Sequence, residues 1–185
     1  MKILWQTKSQ LLQKSFQDGK LNSNLNGGNT YDLQAIFALK KHYDIKVDDN
    51  AVRKDHEGIL SYLYRLQMRT NPADLVVMEP FPVVFGRRRK SQQTVAVIHH
   101  IDPKIREKSA FHRWFFSRLL KKLQHLDRVI TVSEYWNDFL QNEGCSNTEI
   151  IYNSFEVSAF SSLKKSDADF LRKYNIPDKR SEEHT

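Results

Sequence analysis

Thr94 to Pro103 reads TVAVIHHIDP, an apolar run that ends in His99, His100 and Asp102. Imidazole and carboxylate groups at the end of a strand can hold a hydroxyl or steady a diphosphate. Side chains alternate along a strand. The two histidines therefore face opposite sides if the strand persists, one toward a cleft and the other toward the core or a neighbouring helix. The competing reading is a histidine that is simply satisfied within the fold. Metal binding needs further ligands. His112 and His125 sit on a predicted helix with no carboxylate pattern joining them, and Cys145 is the single cysteine, so no metal site is expected.

Three more positions could carry chemistry. Asn26 to Thr30 reads NGGNT and sets Gly27 and Gly28 directly before a predicted helix. Adjacent glycines allow positive φ and a close backbone approach, and the free N–H groups that open a helix can meet a phosphate. The pair could equally just loosen a long loop. The tight Gly-x-Gly-x-x-Gly fingerprint of a dinucleotide site is absent. Glu79 closes the run Leu75 to Met78 before Pro80, placed either to accept hydroxyls or to make a turn. Ser133, in the stretch TVSE, reads mainly as a helix cap, with Glu134 suited to the first turn. A serine nucleophile would need a partner base and a Gly-x-Ser-x-Gly elbow, which is missing. Ligand contact by its hydroxyl or the adjacent N–H groups stays open.

Such residues need a scaffold that gathers strand ends along one edge. The hydrophobic pattern predicts strands at Lys2–Gln6, Tyr43–Val47, Pro72–Met78, Gln93–Ile98, Asp127–Val132 and Thr148–Tyr152. It predicts helices at Tyr31–Tyr43, capped by Asn29 or Thr30, and at Gly58–Leu66, Phe111–Leu126 and Glu134–Asn142, the last capped by Ser133 and closed by Gly144. Trp114, Phe115, Leu119 and Leu123 fall roughly on one stripe of the third helix. Thr7 to Asn29 reads as a polar segment, and Asp167 to Tyr174 carries one short helical pattern. Strands that alternate with helices and lack a wet face predict an α/β fold: a Rossmann-like parallel sheet with helices on both faces. Ligands of such sheets sit beyond the carboxyl ends of the strands, where all the candidate residues stand.

Composition bounds the function. The 185 residues include 11 Phe and 7 Tyr, enough for a packed core. No apolar run is long enough to span a membrane, the polar turn after Trp5 is unlike a signal peptide, and a lone cysteine excludes a disulfide framework. The expected compartment is the cytoplasm. The formal charge of +7 suits phosphorylated ligands, an anionic membrane or nucleic acid. No zinc finger, RNA-binding strand pair or glycine-rich clamp accompanies it, so nucleic acid is not expected. The basic aromatic stretch from Arg113 to Lys122 can rest on anionic lipid or pack its rings on the sheet. A phosphoacceptor domain would want an aspartate after the first strand, where Thr7, Lys8 and Ser9 stand.

In order along the chain, KILWQ, the Gly27–Gly28 pair, PADLVVMEP, TVAVIHHIDP, LDRVITVSEYWNDFLQNEG, TEIIYNSFEVSAF and FLRKYNIPDK resemble landmarks of the N-terminal half of a family 4 glycosyltransferase, the type built from two Rossmann-like domains. Asn153–Ser154 stands where the family has Asn-Gly, Tyr152 where it has Pro, and Glu156 where it has Asp. The resemblance implies the first domain of the two-domain glycosyltransferase-B fold over residues 1–162. Residues 163–179 would begin a missing second domain, and 180–185 would be an artefactual tail.

The resemblance also implies an activity: transfer of a sugar, with retention, from a nucleotide-sugar donor to a glycan or lipid-linked carbohydrate acceptor, without cofactor or metal. The fragment alone is expected to be inactive. His100 is the preferred match to the family histidine, with Asp102 two residues on; both would be catalytic. Gly27, Gly28, Glu79, His99 and Ser133 would contact donor or acceptor. The alternative is a domain that binds a phosphate or nucleotide ligand without turning it over.

Overall fold

Short strands made almost wholly of apolar residues can bury both faces only in a sheet with helices above and below. The computed structural model describes residues 1–21, 24–68, 72–87 and 91–153 and has this arrangement. Its strands are β1 (Lys2–Gln6), β2 (Asp44–Val47), β3 (Leu75–Met78), β4 (Gln93–Ile98), β5 (Arg128–Thr131) and β6 (Thr148–Ile150). They form one six-stranded sheet in the order β2-β1-β3-β4-β5-β6, every neighbouring pair parallel. The helices between them are α1 (Gln10–Asp18), α2 (Gly27–Lys40), α3 (Ile59–Met68), α4 (Pro80–Phe85), α5 (Ile105–Lys108), α6 (Ala110–Leu123) and α7 (Glu134–Asn142).

Strand alternation divides the core in two. Ile3, Trp5, Val77 and Val97 meet Leu12 of α1 and Ile36 of α2 on one face. Leu4, Val76, Met78, Ala96 and Ile98 meet α4, α6 and α7 on the other, through Val83, Phe116, Leu123 and Leu140. Each fully buried aliphatic side chain contributes about 1.5–3 kcal/mol over an exposed one. A smaller cluster of Ala51, Tyr62 and Leu66 seats α3 beside Phe81 and Phe85.

The fold class stands as the sequence predicts, and so do the strands within a few residues. Four local readings are corrected. The segment read as polar from Thr7 contains α1, started by Ser9, whose hydroxyl accepts the Leu12 N–H. Leu12 is fully buried and Phe16 packs one turn later, too few apolar residues to mark a helix by periodicity. Helix α2 begins at Gly27, with Asn26 as its cap, rather than after Asn29 or Thr30. Gly27 and Gly28 therefore take helical backbone, and no left-handed turn forms there. Pro80 and Pro82 start α4 rather than merely ending β3, since proline tolerates the first helical turn. On α6 the buried residues are Phe116, Leu119, Leu120 and Leu123, while Trp114 points outward. Gly144 ends α7 with φ 88°, the left-handed conformation that glycine supplies without strain. The readings for 154–162, 163–179 and 180–185, and the helical pattern at 167–174, lie outside the described residues.

Candidate functional site

The strand order reverses direction at β1: the chain goes out to β2 and returns to β3 on the other side of β1. Loops leaving β1 and β3 thus diverge, and a crevice opens between their carboxyl ends. Thr7, Lys8 and Ser9 leave β1 there, Glu79 leaves β3, and His99 leaves β4 one position further along the sheet.

His99 continues the alternation of Val95 and Val97 and so faces α2. Its Nε2 lies 2.9 Å from Asp32 Oδ1, and Asp32 is only 1% exposed. Tyr31 packs its ring edge-on against the imidazole at 5.0 Å. Gly28 lies directly over the ring: a Cβ there would stand 3.1 Å from His99 Cδ2 and 3.3 Å from Cγ. A glycine is what allows the start of α2 to approach so closely. Gly27 has nothing within 4 Å of such a Cβ.

Behind this pair lies Glu79, held by the Thr7 hydroxyl and the Lys8 amide and hydrogen-bonded to Asp32. Burial, reinforced by the Asp32 charge, pushes the Glu79 carboxyl up to about 7. Burial also raises Asp32, against the opposing hydrogen bond and charge of His99. Asp32 Oδ2 and Glu79 Oε1 are both buried with no N–H or O–H donor from another residue. A proton held on Glu79, which burial and the Asp32 charge favour, relieves the repulsion between the two carboxyls. Asp32 Oδ1 accepts from His99 when the imidazole carries its hydrogen on Nε2.

Beside this cluster is a cleft of about 430 Å³. Its rim carries the cations Lys8 and Arg53 and the amides of Asn26 and Asn29, and its floor includes Tyr62 and Phe81, whose rings stack at 5.4 Å. Asn29 Nδ2 donates to Ser9 Oγ, tying the starts of α1 and α2 together. Arg65 holds the loop that bears Arg53, donating to the carbonyls of Asp49, Asn50 and Val52 at 2.8 Å each. It also pairs with Glu57 at 2.6 Å, which holds the Glu57 carboxyl down to about 2. Cations, amides and the first N–H groups of α2 suit an anionic, hydroxyl-rich ligand. Among the described residues, no group of three His, Cys, Asp or Glu side chains is arranged to hold a metal ion.

Of the sequence candidates, the structure brings Gly28, Glu79 and His99 together and sets the others apart. His100 faces the opposite side of the sheet, exposed, with its ring 4.9 Å from Trp136 in an edge contact. Asp102 accepts the Lys104 amide and lies 3.6 Å from Lys108 Nζ on the following loop. Ser133 caps α7 by accepting the Trp136 N–H. Asp32 was not among the candidates. Its one signal was a carboxylate beside Leu33 on a helix whose stripe includes Ile36, where an acid has no place unless it is paired.

The family model for Glycosyltransferase Family 4 matches residues 38–159, more than half of the chain, and the chain belongs to that family. The matched segment contains Glu79 and His99, while Gly28 and Asp32 precede it. No curated protein matches the chain.

Proposed function

We propose that this Glycosyltransferase Family 4 chain is the acceptor-side half of an enzyme that moves a sugar from a nucleotide-sugar donor to a glycan or lipid-linked acceptor, with retention. The observation that carries this reading is the His99–Asp32–Glu79 cluster under Gly28, at the crevice where the sheet order reverses. The cleft's cations and amides hold acceptor hydroxyls and the donor's charge, and the opening N–H groups of α2 face the diphosphate. His99, its Nε2–H committed to Asp32, presents the rest of its ring to the transferred sugar.

With retention, the acceptor oxygen bonds the anomeric carbon on the face that the diphosphate leaves. The acceptor's proton goes to the departing phosphate oxygen. In this reading most donor contacts come from a second domain that closes over the cleft, so the 185-residue chain is proposed to turn over nothing by itself. The proposed setting is the cytoplasmic side of the cell, in carbohydrate biosynthesis.

The site roles favour His99 over His100, because only His99 meets Asp32 and Gly28. Asp102 and Ser133 lie apart from this cluster. The test is transfer from a panel of labelled nucleotide sugars by the full-length gene product. His99→Ala should lower transfer by roughly 100-fold or more per folded molecule, and His100→Ala should leave it nearly intact. Binding of a nucleotide sugar without turnover by that product would favour a non-catalytic ligand-binding domain instead.

A further inference from the structure

Helices α3, α4 and α6 contain no aspartate or glutamate. Helix α6 alone carries Arg113, Arg118, Lys121 and Lys122. Its buried stripe of Phe116, Leu119, Leu120 and Leu123 faces the sheet, so at 100° per residue Phe111, Trp114, Arg118 and Lys121 look outward. On α3 the inward residues are Tyr62 and Leu66, while Leu60 is 79% and Tyr64 67% exposed. Met68, Phe111 and Trp114 are exposed as well.

Met68, Trp114 and Arg118 of this set line one groove, and Phe111 packs on Trp114. A groove of about 600 Å³ runs between α3 and α6, with Leu63 and Met68 on one wall, Phe85 between, and Trp114, Arg118 and Lys122 on the other. Phe111 lies 5.8 Å and Phe85 5.9 Å from Trp114, ring centre to ring centre, and the Arg118 guanidinium sits 5.6 Å over the Trp114 ring. Large apolar side chains are thus displayed beside cations on three helices whose own residues include no carboxylate, with Glu57 before α3 already paired to Arg65 and Glu107 on the adjoining α5.

The charge selects the occupant. A face with apolar anchors, aromatic rings and only cations complements a surface that is negative outside and apolar beneath. The headgroup layer of an anionic bilayer is such a surface: Trp, Tyr and Phe settle at its depth while Arg and Lys reach the phosphates. No helix among the described residues is long and apolar enough to cross a membrane, so the contact would be peripheral. We propose that the α3–α4–α6 face docks on anionic membrane, with Leu60, Tyr64, Phe111 and Trp114 entering the headgroup region and Arg113, Arg118 and Lys121 meeting lipid phosphates. Helix α3 also supplies Ile59 and Tyr62 to the cleft, so the docked face borders the site. The inference stands independently of the sugar-transfer reading.

The test is sedimentation of the whole 185-residue chain with phosphatidylcholine vesicles, with and without phosphatidylglycerol. The chain should pellet with the anionic vesicles and stay in solution with the neutral ones. Trp5 and Trp136 are buried and Trp114 is exposed, so an emission blue shift on binding should vanish in Trp114→Phe. Arg118→Glu with Lys121→Glu, and separately Leu60→Ser with Tyr64→Ser, should each weaken binding by about tenfold or more, with unchanged circular dichroism. A chain that ignores anionic vesicles overturns the proposal. So does binding that neither pair of substitutions alters. A dimer on gel filtration that Leu60→Ser with Tyr64→Ser dissociates would assign the face to a second copy instead, and also overturns it.

Discussion

His99 and Asp32 meet at 2.9 Å across 67 residues of sequence, and Glu79 hydrogen-bonds the same Asp32 carboxyl. The imidazole is therefore oriented from beneath by a carboxylate that water does not reach. Asp32→Asn keeps the shape and removes the charge. It should release the Nε2–H tautomer of His99, visible as a change in ring nitrogen shifts by NMR. On the proposed sugar transfer it should lower kcat by at least about tenfold, with KM less affected. If the ring shifts stay put, or if lost activity merely follows lost folded protein, Asp32 does not position His99.

Glu79 makes stability depend on pH in an unusual direction for a carboxyl group. Its folded pKa, about 7, lies above the roughly 4.3 of an unfolded glutamate. Between those values the native protein keeps a proton that the unfolded chain has lost. The contribution is therefore fully present below about pH 4.3 and is lost as pH rises through 7. The raised Asp32 carboxyl acts in the same direction. Urea unfolding at steps from pH 5 to 8 should show this fall. Glu79→Gln, neutral throughout, should flatten it and be more stable than the parent at pH 8. Equal slopes in the two proteins would rule out Glu79 as its source.

How far the sequence revealed this site can be followed residue by residue. Burial on both faces writes a strand as a continuous apolar run, so LVVM and TVAVI were legible as β3 and β4. Period-two alternation also sends His99 and His100 to opposite faces, as the structure shows. Which of them meets a partner was not legible, because the deciding group, Asp32, comes from another helix and no local pattern links the two. Helix α1 was hidden because its start rests on one serine hydroxyl and its burial on few side chains. The cap at Asn26 was masked by the glycines after it, which look like a turn but start a helix.

Arg65 makes a separate prediction about the cleft's far wall. It binds three carbonyl acceptors of the β2–α3 loop and pairs with Glu57. Arg65→Ala leaves those carbonyls without a donor and should cost about 2 kcal/mol. Its sharper signature is local. Proteolysis should appear first between Asp49 and Glu57, and the loop bearing Arg53 should lose amide protection before the sheet does. Arg65→Lys should not restore protection, since a single ammonium cannot span the fork that the guanidinium fills. Even protection across the chain in the variant would show that the loop orders itself.

Adjacent glycines with different surroundings give the most discriminating pair of variants. Both sit in the first turn of α2 with helical backbone, so alanine is compatible with either φ. At Gly27 the new methyl meets nothing within 4 Å, and lower unfolded-state entropy should stabilise the chain by about 0.4–1 kcal/mol. At Gly28 the methyl would press on the His99 ring at 3.1 Å, and the ring is held at Nε2 by Asp32, one turn further along the same helix. The imidazole must then tilt and lengthen its bond to Asp32, or the start of α2 must lift. Gly28→Ala should thus shift the His99 ring resonances, while Gly27→Ala does not. Thermal unfolding separates the outcomes. A Gly28→Ala chain as stable as Gly27→Ala, with unmoved His99 resonances, would mean that the ring has room to yield and that Gly28 is not what shapes the site.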